Sequence, residues 1–151
     1  GSEMCIRDRS FTTKLKPDPI VQNTVTGKIS KNQPYIFDIC HLGQMAQIKG
    51  VGIEFAFEVS SLIFGGVENW NSDENLSNAA KKVGLDLIQL RESVTVHEDK
   101  IIEQIKQNQV DQLNAGHHGV PLTVIGDKYF FGQDQFEKIM ETLKENGLKE
   151  R

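Results

Sequence analysis

The chain has 151 residues, 38% of them hydrophobic and 25% charged, with a formal net charge of −4. That length suits one domain with one core, and that composition excludes a globally disordered chain. No Lys/Arg-rich run or basic-aromatic stripe occurs, and no apolar stretch could span a bilayer, so neither nucleic acid nor a membrane is an expected partner.

Residues 1–10 have no apolar period and no turn chemistry that leads into a fold. Met4, Cys5, Ile6, Arg7 and Asp8 are what ATG TGT ATA AGA GAC encodes, the core of a transposon mosaic end used to build libraries. The segment thus resembles a translated adapter ahead of a metagenomic reading frame that starts inside a gene; a genuine disordered tail is the other reading. Residues 1–17 are expected to be a non-native or disordered tail that packs on nothing, and Cys5 carries no functional weight. Residues 11–34, with Pro17, Pro19 and Pro34 among scattered Thr, Asn and Lys, read as loop.

From Tyr35 the period turns helical. Tyr35, Ile39, Leu42 and Ala46 share a face, and Gly50 ends that helix. Phe55, Val59, Leu62 and Ile63 mark a second, stopped at Gly65 and Gly66. Trp70 stands alone in a polar stretch and reads as a packing anchor. Ser72 or Asp73 can cap a third helix with Leu76, Ala79, Ala80 and Val83 inward and Gly84 at its end. Residues 85–93 give a short helix. Residues 97–115 give a longer polar one, with Ile102, Ile105 and Leu113 as a thin buried stripe. Then the period changes. Residues 122–125 and 128–131 read as two antiparallel strands joined by Gly126 and Asp127. Residues 134–146 form the last helix, with Phe136, Ile139, Met140 and Leu143 on one face and Gly147 after it. Two strands alone make a marginal sheet, and nothing upstream reads as a convincing partner for them.

The most informative stretch is residues 115–134. A Val120-Pro121 bond stands at the mouth of a strand, a hairpin follows, and Phe131, Gly132, Gln133 and Asp134 open a helix. This resembles the second half of a thioredoxin fold, in which that proline is cis. Further back, Asp18-Pro19-Ile20-Val21-Gln22, Gln33-Pro34-Tyr35-Ile36-Phe37 and the run 75–86 after Trp70 resemble the helical insertion of 2-hydroxychromene-2-carboxylate isomerases, kappa-class glutathione transferases and DsbA-like oxidoreductases. The fold class implied is α/β: a thioredoxin-like fold with a helical insertion, mostly helical over this chain. The insertion would span residues 18–115, and residues 116–151 would be the C-terminal half of the thioredoxin domain. The resemblance also implies that a first strand-helix-strand unit, carrying the catalytic serine or Cys-x-x-Cys, belongs before Asp18. It is not seen there, so the catalytic residue stays unassigned and this chain alone is expected to be inactive.

The resemblance implies glutathione as cosubstrate, a small substrate that can be aromatic, and room for a homodimer. Val120 and Pro121 would pair backbone groups with the cysteinyl part of glutathione; a plain strand start is the other reading. Gln133 and Asp134 would hold its γ-glutamyl group, Asp134 facing the ammonium, unless Asp134 is simply an N-cap. His117 and His118 could poise a proton donor beside the thiol or merely pack the loop. Cys40, next to Ile39, reads as a small hydrophobe. No metal-ligand spacing appears among the two cysteines and the histidines. The function implied is a glutathione-dependent isomerase or transferase. The alternatives are a thiol-disulfide oxidoreductase, or a non-catalytic fragment or peptide-binding module. Cysteine usage points to a reducing cytoplasm; the oxidoreductase reading would favour the periplasm.

Overall fold

The structure, a computed structural model, describes residues 11–13 and 19–149. The chain divides into two compact units, residues 1–102 and 103–151.

The first unit opens on a small hairpin where a loop was expected. β1 (Phe11–Thr13) pairs antiparallel with β2 (Val21–Asn23), Phe11 opposite Asn23 and Thr13 opposite Val21. Side-chain hydrogen bonds build the region around it. Asn23 Oδ1 accepts from the N–H groups of Val25 and Thr26 at 3.0 and 2.8 Å, which reverses the chain. Gln33 Nε2 donates to the carbonyls of Val21 and Ser30 at 2.9 and 2.8 Å, and its Oε1 accepts from Val21 N–H at 2.9 Å. Amide side chains leave no hydrophobic period, which is why the sequence reads as loop here. The rest of the expected tail, residues 1–10 and 14–17, lies outside the described residues.

Four helices follow: α1 (Pro34–Ile48), α2 (Gly52–Phe64), α3 (Asp73–Lys82) and α4 (Leu87–Val96). Pro34 opens α1, where its missing N–H costs nothing. Ser72 caps α3 by accepting from Asn75 N–H at 3.2 Å, and Asp86 caps α4 by accepting from Gln89 N–H at 3.0 Å. After α3, Leu85 N–H reaches Ala80 O and Gly84 N–H reaches Lys81 O, with Gly84 at φ +78°, a conformation only glycine adopts freely. The same pair of bonds closes α1 and α2 at Gly50 and Gly66.

The expected stripes supply most of the buried residues, with Tyr35, Ile39, Leu62 and Val83 at their edges half-buried. Leu42 and Ala46, joined by Met45, face inward from α1; Phe55, Val59 and Ile63 do so from α2; Leu76, Ala79 and Ala80 from α3. Trp70 is fully buried, with Tyr35 edge-on to it at 6.3 Å. Arg91 of α4 forms a two-pronged ion pair with Asp38 of α1 at 2.6 and 3.2 Å and touches Asp73 at 3.5 Å, so one guanidinium spans three helices.

α5 (Glu98–Asn114) contains the division between the units. Its buried residue is Ile101, not the expected stripe: Ile102 and Ile105 are half-buried and Leu113 is 61% exposed. Adjacent isoleucines point about 100° apart on a helix, so both fit a loose period and only packing selects one.

In the second unit β3 (Leu122–Ile125) and β4 (Lys128–Phe131) form the expected antiparallel hairpin, Ile125 opposite Lys128 and Leu122 opposite Phe131. A 3₁₀ turn (Gln133–Gln135) leads into α6 (Phe136–Glu145), which packs on β3 through a half-buried face of Ile139, Met140 and Leu143. Thr142 is buried on α6 because its Oγ1 donates to Lys138 O at 2.8 Å. α6 begins two residues later than the sequence suggests, and Phe136 is 65% exposed. No helix among the described residues is long and apolar enough to cross a membrane.

Candidate functional site: the loop before β3

The loop between α5 and β3 is built on one glycine. Gly119 N–H donates to His117 Nδ1 at 2.8 Å, and Gly119 O accepts from Gln112 Nε2 of α5 at 3.0 Å. Both backbone groups of Gly119 are therefore held by side chains. A Cβ at Gly119 would collide with the Phe131 ring and come within 2.8 Å of His117 Cε1, so no side chain fits without displacing a ring.

His117 is half-buried. Its ring lies flat against Phe131 of β4, with centroids 4.0 Å apart and planes 15° apart. His118, exposed, stacks with His117 at 5.2 Å and 7°. His117 thus makes ring contacts with both His118 and Phe131.

Beyond Gly119 the chain turns into the strand. The Val120-Pro121 peptide bond is cis, as the resemblance implies. Val120 stands 77% exposed, and Pro121 O accepts from Gly132 N–H at 3.0 Å, which extends the β3–β4 pairing by one step. In an antiparallel ladder alternate residues exchange hydrogen bonds. With Pro121 bonded toward β4, Leu122 and Val124 turn their N–H and C=O groups to the opposite edge, which pairs with no strand among the described residues. Val120, Leu122 and Val124 also line a groove of about 490 Å³ with Asn108, Asp111 and Gln112 of α5. Its floor is apolar and its wall offers amides and one carboxylate.

Gln133 and Asp134 are both exposed in the 3₁₀ turn. Asp134 is not an N-cap: no side chain caps that turn or α6, and among the described residues its Oδ2 accepts one long bond, from Gln135 Nε2 at 3.4 Å. The carboxylate is therefore available to a cationic group. Gln133 follows Gly132, which bonds Pro121, so the 3₁₀ turn starts beside the loop. Among the described residues no hydrogen bond joins Gln133 or Asp134 to the histidine pair.

Sequence reasoning missed Gln112 and Phe131. Gln112 sits on a polar helix face where nothing marks one glutamine from the next, and Phe131 is legible as the start of the Phe131-Gly132-Gln133-Asp134 run but not as the ring against His117. Cys40 lies on α1 in the other unit. It is an exposed residue, yet partial burial of its thiol pushes the pKa above the ordinary value. That disfavours a thiolate nucleophile. Among the described residues no cluster of three His, Cys, Asp or Glu could hold a metal.

This geometry falls inside a family match. The DSBA-like thioredoxin domain matches residues 41–144. The chain belongs to the DSBA-like thioredoxin family. Comparison with curated proteins and with solved structures gives no match. The family match covers α2 to α5 entire and nearly all of α6, and so takes in both the helical segment and the Val120-Pro121 loop of this DSBA-like chain. It sets the functional class at the level of thiol oxidoreductases and isomerases.

Proposed function

We propose that the chain carries the glutathione-binding loop of an isomerase or transferase resembling 2-hydroxychromene-2-carboxylate isomerase. The observation that carries this reading is the clamped loop: Gly119 fixed on both sides, then Val120 exposed beside an open strand edge. A peptide-like ligand is held by backbone pairing, and a rigid loop loses little entropy when it pairs. Glutathione suits the charges. Its γ-glutamyl ammonium finds a carboxylate at Asp134, and Gln133 offers amide contacts beside it.

Cys40 supports the same reading from the other direction. Its raised pKa makes it a poor nucleophile at neutral pH. Cys40 is then not the reacting thiol; in this reading glutathione brings its own, and the residues of the second unit orient it.

The test is a titration of ¹⁵N-labelled chain with reduced glutathione, read by amide shifts. Shifts should concentrate at residues 119–122 and 133–134, and Asp134→Asn should weaken binding severalfold by removing the ammonium's counter-charge. No shift in these amides, or shifts confined to α1–α4, would sink the proposal. S-methylglutathione should bind comparably, since the loop pairs with backbone rather than sulfur.

A further inference from the structure

Asn146 is the one asparagine in the sequence that is followed by glycine. The pair closes α6: Asn146 stands directly after Glu145, and Gly147 follows at φ +95°. A glycine nitrogen has no Cβ beside it to hinder attack, so it can reach the side-chain amide carbon of the asparagine before it. Both residues are exposed, and nothing lies within 4 Å of where a Cβ on Gly147 would stand, so water approaches freely.

The fold holds the reacting groups apart. Gly147 N–H, the attacking nitrogen, donates to Lys144 O at 3.0 Å, and Leu148 N–H donates to Leu143 O at 2.9 Å. Asn146 Nδ2, the leaving nitrogen, donates to Thr142 O at 2.8 Å. A planar five-membered ring closes only when Cβ of Asn146 and the nitrogen of Gly147 eclipse each other about the Cα–C bond. At φ −87° and ψ 11° Asn146 sits in the bridge region, far from that arrangement. Reaching it rotates ψ and breaks the Gly147–Lys144 bond, so the last turn of α6 must open first. That turn opens at low cost, because the face of Ile139, Met140 and Leu143 that anchors α6 is only half-buried.

We infer that Asn146 is a self-modification site, gated by the opening of the last turn of α6. The Gly147 nitrogen gives its proton to hydroxide and bonds to Asn146 Cγ. The Cγ–Nδ2 bond breaks, and the departing nitrogen takes a proton from water and leaves as ammonia. Water then opens the succinimide at either carbonyl, to aspartate or to isoaspartate. The net change is one water consumed and one ammonia released, with nothing oxidised or reduced. Either product sets a carboxylate among the free carbonyls at the C-terminus of α6, where the helix dipole disfavours it, and removes the Nδ2 donor from Thr142 O. Isoaspartate also adds a methylene to the main chain, which draws the Gly147 and Leu148 N–H groups off their carbonyls. The change is one-way, and it loosens the helix that packs on β3. It is independent of the glutathione reading, because water is its only co-reactant.

The experiment ages the full chain at neutral and mildly alkaline pH, digests it and weighs the peptides, with enzymatic methylation to tell isoaspartate from aspartate. Asn146 should convert ahead of every other asparagine, and faster at the higher pH. In guanidinium, which unfolds the chain, it should convert severalfold faster than in buffer. Leu143→Ala, which loosens α6 on β3, should move the native rate toward the unfolded one; Ile139→Val takes its place if Leu143→Ala does not fold by circular dichroism. Asn146→Gln, whose longer side chain disfavours the ring, should stay intact at that position. Another asparagine converting first, or no conversion of Asn146 in the native chain, overturns the site. Equal rates in native and unfolded chain, or a native rate that loosening α6 leaves unchanged, overturns the gate.

Discussion

Gly119 shows how much one position can hold. Its N–H and C=O are both bonded to side chains, and the space where a Cβ would stand is filled by Phe131 and His117. Gly119→Ala must separate the stacked rings or move the loop. The expected cost is about 1–3 kcal/mol, as for other overpacked sites. Urea unfolding would measure it, and the Phe131 and His117 ring signals should shift together. A neutral substitution with unchanged ring shifts would mean that the stack does not order the loop. Cys40 gives a residue-scale prediction in pH. Its thiol pKa is raised in the folded chain from a reference of 9.0, so the unfolded chain ionises first as pH rises. The stability linked to this group is complete below the reference value and is lost as pH climbs through the folded pKa. Melting temperature should therefore fall at alkaline pH, and Cys40→Ala should remove part of that fall. Equal alkaline slopes for both proteins would rule this out. Near neutral pH the Cys40 thiol should also react slowly with a disulfide reagent for a residue so exposed.

At the scale of elements, α3 is the clearest case of sequence dictating structure. Ser72 supplies the cap, Asp73 and Glu74 occupy the first turn, Lys81 and Lys82 occupy the last, and Gly84 closes it. Each feature favours the same helix with the same limits. Ser72→Ala removes the cap and should cost about 1 kcal/mol in the transition of the first unit, with helical content retained; an unchanged midpoint would show that the cap is dispensable. Helices punctuated by glycine were legible for this reason. The β3–β4 hairpin was legible because β-branched and aromatic residues flank Gly126 and Asp127. The β1–β2 pairing was not, because its residues show no clean apolar period and the turn after β2 is held by Asn23 and Gln33 amides, which sequence patterns count as loop chemistry. α5 was legible as a helix but not in its buried face, since it has too few apolar residues to define one. The site was half legible: Val120, Pro121, Gln133 and Asp134 carry a pattern, whereas Gln112 and Phe131 act through contacts that no local spacing encodes.

Across the whole molecule the core is unevenly shared. Every buried hydrophobic side chain among the described residues lies at or before Ile101, from Leu42 on α1 to Leu90 on α4 and Ile101 itself. In the second unit the buried residue is Thr142, while Val124, Tyr129, Phe131 and Phe136 are 45–65% exposed. Burial of apolar surface is the main term that opposes conformational entropy, at about 25 cal/mol for each Å² removed from water. A two-stranded sheet with one helix on it removes little. The two units should therefore differ in stability when each is followed separately. Amides of β3, β4 and α6 should exchange with solvent hydrogen much faster than those of α1–α4, because their opening costs less than global unfolding of the first unit. Phe55→Ala separates the two further. It empties a site at 1% exposure in the first unit and should cost about 3–5 kcal/mol there. Exchange of the β3–β4 amides should stay unchanged. Hydrogen exchange read by NMR, on the wild type and on Phe55→Ala, tests both statements. Uniform protection across the chain, or slowed or accelerated exchange at Thr123 and Phe130 when Phe55 is lost, would show that the two units unfold as one.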